Sequence, residues 1–292
     1  MPLTPGSDTV YKHQHGLKAR YHPGLVLLRP STLLLAILSL FSCNRGGNPG
    51  EDQAVEPIEA AAQAQTVLCE TGGKCVEQAR VHLQGEGVPE DRALASQLFK
   101  RACDLGTMEG CFSLANIYVN PGSSGLQHSP AESVKLLEVA CTGGHGQACA
   151  NLGTRYSQGL GVQEDQSRAV ALYKMACEAK NTAGCYSLAK SLRDGEGLAV
   201  DASQALHLFE RTCDELPESC LAAGRMHQGG RGIPKNLESA VRFFERACDG
   251  KHESGCVDLA YAYQDGLGVV ADPARADALF ELGCKLGRCI HR

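Results

Sequence analysis

Residues 149–177 read CANLGTRYSQGLGVQEDQSRAVALYKMAC, and this stretch decides the fold. Its first half places four apolar or small residues, from Cys149 to Tyr156, at positions i, i+3, i+4 and i+7, which lie on one face of a helix. Gly-Leu-Gly at 159–161 favours a tight turn, and Asp165 is a typical residue for a helix start. The second half repeats the helical period up to its final cysteine. The stretch therefore predicts two helices joined by a glycine turn.

The same pattern occurs six times along the chain. The cysteine that opens each first helix recurs at Cys75, Cys111, Cys149, Cys185, Cys220 and Cys256. A second series keeps the same spacing near the end of each second helix: Cys103, Cys141, Cys177, Cys213, Cys248 and Cys284. Each unit is therefore an αα-hairpin of about 36 residues, and the repetition itself is typical of a solenoid.

Residues 69–292 are predicted to fold as one all-α domain. Two amphipathic helices cannot bury their apolar faces alone, so successive hairpins must stack on one another. The chain has no Trp, 7 Phe and 33 Gly, which favours closely packed small helices. We therefore expect a right-handed α-solenoid of about six αα-hairpin repeats.

The unit pattern CxxLAxxYxxGxGVxxDxxxAxxLFxxAC resembles the Sel1-like repeat. Its two cysteines per unit are similar to those of the Helicobacter cysteine-rich protein family. The resemblance covers Cys69 to Arg292, with departures in the first helix of unit one, in the turn of unit two and after Cys284. It implies the α-solenoid fold, and members of that family have been described as beta-lactamases or penicillin binders.

Each pair of neighbouring cysteines brackets the loop between one helix and the next. Such positions can lie within the range of Cα separations that a disulfide spans, about 4.4–6.8 Å. We therefore predict a disulfide-stapled solenoid with the bridges Cys69–Cys75, Cys103–Cys111, Cys141–Cys149, Cys177–Cys185, Cys213–Cys220, Cys248–Cys256 and Cys284–Cys289. The alternative, zinc binding, usually needs CxxC-like spacing, which the chain lacks. No metal or other cofactor is expected.

Residues 1–42 carry the pattern of an export signal. Basic side chains precede the short apolar run Thr32–Phe41, which is about half as long as a membrane-spanning helix. Cys43 directly follows a serine, a junction that resembles the bacterial lipobox and implies lipid attachment to Cys43. Asn44 resembles the outer-membrane rather than the inner-membrane sorting signal. Residues 43–68 are polar and rich in Gly, Pro and Ala, and predict a flexible tether.

The composition and motifs argue against two classes of function. The net charge is −5 and no basic run occurs, so nucleic acid is not an expected partner. Ser187-Leu-Ala-Lys190 matches the SxxK motif of serine beta-lactamases, but the Ser-Asp-Asn and Lys-Thr-Gly partners are missing. Ser113-Leu-Ala-Asn116 fills the same positions in another unit, so we interpret both as ordinary helix positions. Beta-lactamase or penicillin-binding activity remains the alternative.

One polar face of the first helices is the candidate binding site. Offsets +2, +5 and +9 from each first-helix cysteine point away from the core face, and we call these positions the first-helix stripe. In tetratricopeptide-like solenoids the first helices line the concave surface, so by analogy the stripe is the groove floor. The candidate binding residues are Arg80, Asn116, Asn151, Lys190, Arg225 and Tyr261. A merely solvated face is the alternative.

Together these patterns predict an exported lipoprotein scaffold without catalysis. It would be lipid-anchored in the bacterial envelope, at the outer membrane and facing the periplasm. A protein or peptide partner would bind in the groove through amide and charge-assisted hydrogen bonds.

Overall fold

The computed structural model describes residues 69–289, and this part of the chain is all-helical, with twelve helices and no strand. The helices are α1 Gly72–Gln84, α2 Arg92–Asp104, α3 Met108–Val119, α4 Pro130–Thr142, α5 Gly146–Gln158, α6 Gln166–Glu178, α7 Thr182–Asp194, α8 Ala202–Thr212, α9 Pro217–Gly229, α10 Leu237–Asp249, α11 Glu253–Asp265 and α12 Pro273–Lys285. Odd-numbered helices are the first helices of the six units and even-numbered helices the second. The predicted signal, Cys43 and the tether lie outside the described residues.

The predicted helix ends are confirmed. The second helix begins after Asp91, Asp165, Asp201, Asn236 or Asp272 in five units, and each of these side chains accepts a backbone N–H from the first turn. The first helix of the same units ends at a glycine with a left-handed backbone, φ 63° to 76°. Capping at both ends therefore fixes the hairpin in the same way each time.

The two irregular units still form complete hairpins. Helix α1 is as long as its counterparts although Gln78 and His82 depart from the apolar pattern. Gln78 is exposed and His82 only half-buried, so neither polar side chain is fully buried in the core. In unit two, the Ser129 side chain caps α4 by accepting the Glu132 N–H, and Pro130 occupies the first turn of the helix.

The core runs along the array between the two layers of helices. Alanines near the ends of the second helices, such as Ala102 and Ala176, have no solvent exposure, so neighbouring backbones approach closely there. Phe99, Phe209 and Phe244 fill the wider spaces and are at most 1% exposed. Most helix contacts are formed by small residues and only a few by phenylalanine rings, so this core needs few aromatic residues.

In later units the second glycine of the turn contacts the preceding unit. Gly161, Gly197 and Gly268 all have positive φ, and each lies against the start of the preceding unit's second helix. A Cβ atom at Gly161 would lie 2.6 Å from the carbonyl oxygen of Pro130, closer than carbon and oxygen can approach. Glycine is therefore required here both by backbone conformation and by the lack of space.

Seven disulfides join the fourteen cysteines of the described part in the predicted pairs. Cα separations are 4.4–5.1 Å in six of them and 3.9 Å in Cys284–Cys289, which closes the shortest loop. Five bridges lie in the loops that join one unit to the next, so they fasten units together rather than the two helices of one hairpin.

The first helices also contact one another directly. Helix α1 packs against α3, α5 against α7 and α9 against α11, and no two second helices of the described residues approach to the same extent. In three of the five neighbouring pairs, the first helices therefore approach each other more closely than the second helices do.

None of the helices described here is both long enough and apolar enough to cross a bilayer.

Candidate functional site

The six candidate binding residues differ in their solvent exposure and in their contacts with other side chains. Arg80, Asn116, Lys190, Arg225 and Tyr261 are exposed, whereas Asn151 is half-buried. Within residues 69–289, the side chains of Asn116 and Lys190 make no hydrogen bond or ion pair, while the other four each contact a neighbouring side chain. Two of the six candidate side chains therefore form no hydrogen bond or ion pair in this part of the chain, and four already contact another side chain.

Offset +2 of the stripe is less exposed than predicted. Ala222 is only 7% exposed, and Ser113, Ser187 and Asp258 are half-buried. Ala222 packs in one cluster with Ala189 of the preceding first helix, so this position faces the neighbouring unit instead of solvent. Glu77 is exposed, and no helix of the described residues precedes its own. The accessible stripe therefore consists of offsets +5 and +9.

Arg80 belongs to an ionic network that links the first three units. Its Nη2 donates to Glu109 Oε1 at 2.7 Å, and His145 Nε2 donates to the other carboxylate oxygen at 2.9 Å. The Nδ1 atom of His145 accepts the Ala148 N–H at the start of α5, which leaves the proton on Nε2. Burial alone would raise the pKa of Glu109, but the hydrogen bonds from His145 and Arg80 outweigh it and hold the pKa below its usual 4.5.

The Glu109→Gln protein is expected to be less stable than the wild type by about 0.5–1 kcal/mol at pH 7, since the pair is partly exposed. The folded-state pKa of Glu109 is lowered, so this advantage is complete above pH 4.5 and disappears as the pH falls through the folded-state pKa. Urea unfolding between pH 3 and pH 7 measures it. Glu77→Gln, on the exposed face of α1, is the control; equal losses in both variants would contradict the network.

Two further contacts of the stripe also cross unit boundaries. Arg225 Nε donates to Asp258 Oδ2 at 2.7 Å, from α9 to α11. Asn181, which caps α7, donates to Gln147 of α5, and Gln147 in turn donates to Asn151. These polar side chains therefore help to set the spacing of the first helices as well as lining their surface.

Two clefts open on this surface. The first, of about 360 Å³, lies between α1, α2 and α3 and is lined by Arg80, Asn116, Leu83 and Ile117 among others. The second, of about 480 Å³, lies between α7, α8 and α9, where the buried Ala222 and Met226 form an apolar floor and the exposed Val200 adds to the lining. Both combine apolar surface with the polar ends of stripe residues.

Three arginines surround the second of these clefts. Arg193, Arg225 and Arg231 all line it, and Arg193 is held by Asp194 through two hydrogen bonds of 2.7 Å. That contact raises the pKa of Arg193 and lowers the pKa of Asp194. Sequence reasoning selected Arg225 but missed Arg193 and Arg231, because neither lies at a stripe offset. Both lie at the end of a first helix or in the turn after it, and this position is the sequence feature that could have identified them.

A family model matches nearly the whole described part of the chain. The Sel1 repeat matches residues 75–107, 109–145, 146–181, 182–215, 217–252 and 254–287, one match for each unit. The chain belongs to the Sel1 repeat family. Its fold is accordingly the solenoid scaffold of that family, whose repeats generally mediate contacts between proteins.

Solved structures with Sel1-type repeats are similar to this Sel1 repeat protein. A protective antigen of uropathogenic Escherichia coli with an SLR fold is 25% identical, with a TM-score of 0.71, over 74% of this chain and 46% of that one. Helicobacter pylori cysteine rich protein B is 26% identical over 43% of this chain and 90% of that one, with a TM-score of 0.35.

Among curated relatives, the Sel1 repeat protein is similar to cytochrome c oxidase assembly factor 7A of Xenopus laevis. The two are 28% identical over 123 residues, 42% of this chain and 45% of that protein. The match thus spans less than half the length of the relative.

The serine and lysine of the SxxK motif in this Sel1 repeat protein lie on α7. Ser187 is half-buried, Lys190 is exposed, and no hydrogen bond joins them within the described residues. An SxxK enzyme uses its lysine or a second base to activate the serine. Nothing in the geometry of α7 provides that activation, so the motif matches the repeat pattern and no observation favours hydrolysis.

Proposed function

We propose that this Sel1 repeat protein is an exported, lipid-anchored scaffold that binds a protein or peptide along its first-helix face. The observation that carries the proposal is the pair of clefts on that face, lined by the candidate residues Arg80, Asn116 and Arg225. Apolar floors with a few polar groups at the rim are typical of surfaces that hold peptides.

Export is supported by the disulfides and by the N-terminal sequence. Seven bridges in one chain are usual in oxidising compartments and rare in a reducing cytosol. The apolar run before Cys43 and the lipobox-like junction supply the corresponding signal. Lipid attachment to Cys43 would leave residues 44–68 as the connection between membrane and solenoid.

The name of the Xenopus relative, an assembly factor for cytochrome c oxidase, supports a scaffold in general terms. It describes that protein alone. For this chain we propose only that the partner is a protein or a peptide.

Binding is expected to depend on Asn116 and Lys190 while folding does not. Both side chains are exposed and uncommitted, so the Asn116→Ala/Lys190→Ala protein should keep its unfolding free energy within about 0.5 kcal/mol. A central polar contact typically contributes about 2 kcal/mol or more, so the double variant should bind its partner at least about thirtyfold more weakly. Photo-cross-linking from positions 116 and 190 in envelope membranes would identify the partner, and titration would measure the affinity.

The matched control is Lys100→Ala/Lys174→Ala, which removes two exposed lysines from second helices. Cross-linking from positions 100 and 174 should give weak or no products. If those positions capture the partner and positions 116 and 190 do not, the first-helix face is only a solvated surface.

Membrane attachment is expected to depend on Cys43. The Cys43→Ser protein should move from the membrane to the soluble fraction after cell fractionation, because no lipid can be attached to serine at that junction. Ser42→Ala, which keeps the cysteine, is the control. Continued membrane association of the Cys43→Ser protein would refute lipid anchoring without affecting the binding proposal.

A further inference from the structure

The disulfide Cys177–Cys185 differs from the other six in having a guanidinium group on its sulfurs. Arg211 Nη2 lies 2.9 Å from Cys177 Sγ and 3.2 Å from Cys185 Sγ. Arg211 forms no ion pair in the described part of the chain, so its charge is not neutralised by a bonded carboxylate. No other bridge there has an arginine within hydrogen-bond distance of its sulfurs.

This disulfide is also accessible. It lies in the wall of a cleft of about 830 Å³ between α6, α7 and α8, which we call the second-helix cleft. Cys177 is half-buried and Cys185 is 4% exposed, so a small nucleophile entering the cleft meets the Cys177 sulfur first. Lys174, Lys180 and Arg211 line the cleft together with the carboxylates Glu178 and Glu215, and Arg211 is the cation that touches the sulfurs.

We infer that Cys177–Cys185 is a site of thiol–disulfide exchange, at which an incoming thiolate opens this bridge in the folded protein. The other bridges are structural by comparison. The inference is independent of the proposed binding face, which lies on the first helices.

The chemistry needs a thiol reductant as the second reactant. Its thiolate attacks Cys177 Sγ, a new S–S bond forms, and the Cys177–Cys185 bond breaks with its electron pair passing to Cys185 as a thiolate. Arg211 stabilises that departing thiolate, as a cation beside a cysteine generally does. With a dithiol reductant, its second thiolate then displaces Cys177, so that the reductant leaves as a disulfide and the protein gains two electrons.

The chain contains a matched bridge without the arginine. Cys103–Cys111 has the same sequence separation of 8, and its first cysteine is likewise half-buried and its second fully buried. The position equivalent to Arg211 in that unit is Val139, which is 48% exposed. The two sites differ in this side chain and in the second-helix cleft, which is lined by Cys177–Cys185 and not by Cys103–Cys111. Exchanging the side chain therefore tests the arginine separately from the cleft.

Arg246 shows that an arginine at this position does not necessarily contact the sulfurs of the bridge. It is equivalent to Arg211 for the bridge Cys213–Cys220, but it pairs with Asp214 and lies over the Phe243 ring. The charge of Arg246 is therefore paired with a carboxylate and does not act on the sulfurs.

Cys284–Cys289 is exposed at both cysteines, so the rate of its reduction reports the effect of accessibility alone.

The test follows each bridge separately in purified full-length protein. Free thiols are blocked first, dithiothreitol is added at low concentration, samples are quenched with acid, and newly opened cysteines are alkylated and mapped by mass spectrometry. Circular dichroism in parallel shows that the protein stays folded. Cys177–Cys185 should open at least about threefold faster than Cys103–Cys111, and added salt should reduce the difference.

The reciprocal variants decide the cause. Arg211→Val should slow the opening of Cys177–Cys185 toward the rate of Cys103–Cys111, and Arg211→Lys should slow it less. Val139→Arg should accelerate Cys103–Cys111. With glutathione, a monothiol, the trapped mixed disulfide should be on Cys177 and not on Cys185.

Equal opening rates at the two bridges in the wild type, or an unchanged rate in Arg211→Val, would overturn the inference. If Arg211→Val does not fold, the wild-type ratio and the Val139→Arg protein still decide the question.

Discussion

The Gly197→Ala protein is expected to lose about 2–5 kcal/mol of stability. Gly197 has φ 77°, a conformation that costs a residue with a Cβ about 1–2 kcal/mol. Its Cβ would also overlap the backbone of Gln166 at the start of α6, and such overpacking typically costs a further 1–3 kcal/mol. Because Gly197, in the turn of unit four, contacts α6 of unit three, the substitution should weaken the packing between these two units. Chemical denaturation with two probes, one in each half of the array, would measure the loss.

Gly87 provides the matched control. It occupies the same place in an identical Gly-Glu-Gly turn, with φ 74°, but within the described residues no atom lies within 4 Å of a Cβ built on it. Gly87→Ala should therefore cost only the conformational part, about 1–2 kcal/mol. Equal losses in the two variants would mean that the contact with α6 contributes nothing.

Complete reduction of the disulfides is expected to unfold the protein. Closing a loop of about nine residues stabilises by roughly 2–3 kcal/mol in the loop-entropy model. Seven such bridges together would exceed the net stability of a typical domain, about 5–15 kcal/mol. Protein unfolded in guanidinium with reductant, then diluted into the same reductant, should show no cooperative thermal transition by circular dichroism.

The control removes one bridge only. Cys248→Ala/Cys256→Ala should fold under oxidising conditions and lose about 2–3 kcal/mol. If the fully reduced chain instead refolds with near wild-type stability, packing between units is sufficient and the bridges act mainly on the rate of unfolding.

The sequence was sufficient for the fold because each unit repeats the same local signals. Asp165 and its four counterparts predict helix starts, and glycines such as Gly159 predict helix ends, through interactions within a few residues. The cysteine pairs are likewise local. Such signals do not depend on knowing where other units lie.

The candidate site was predicted less completely because it depends on contacts between units. The helical angle of Ala222 does point away from its own core face, but α7 of the preceding unit covers it. Similarly, nothing within α3 indicates that Glu109 meets both Arg80 and His145, which lie 29 and 36 residues away. The spacing of neighbouring helices decides these contacts, and no single unit contains that information.

The position of the bridges also determines how the array would respond to pulling on its two ends. The segment between one bridge and the next, such as Cys149 to Cys177, is a whole hairpin that contains no cross-link of its own. Under tension that hairpin could straighten by itself, while the loop closed by the bridge could not lengthen. Extension would then proceed in steps of one hairpin. Each bridge would hold the end of one unit's second helix beside the start of the next unit's first helix. When the tension is released, neighbouring units would therefore still be adjacent and in the correct order.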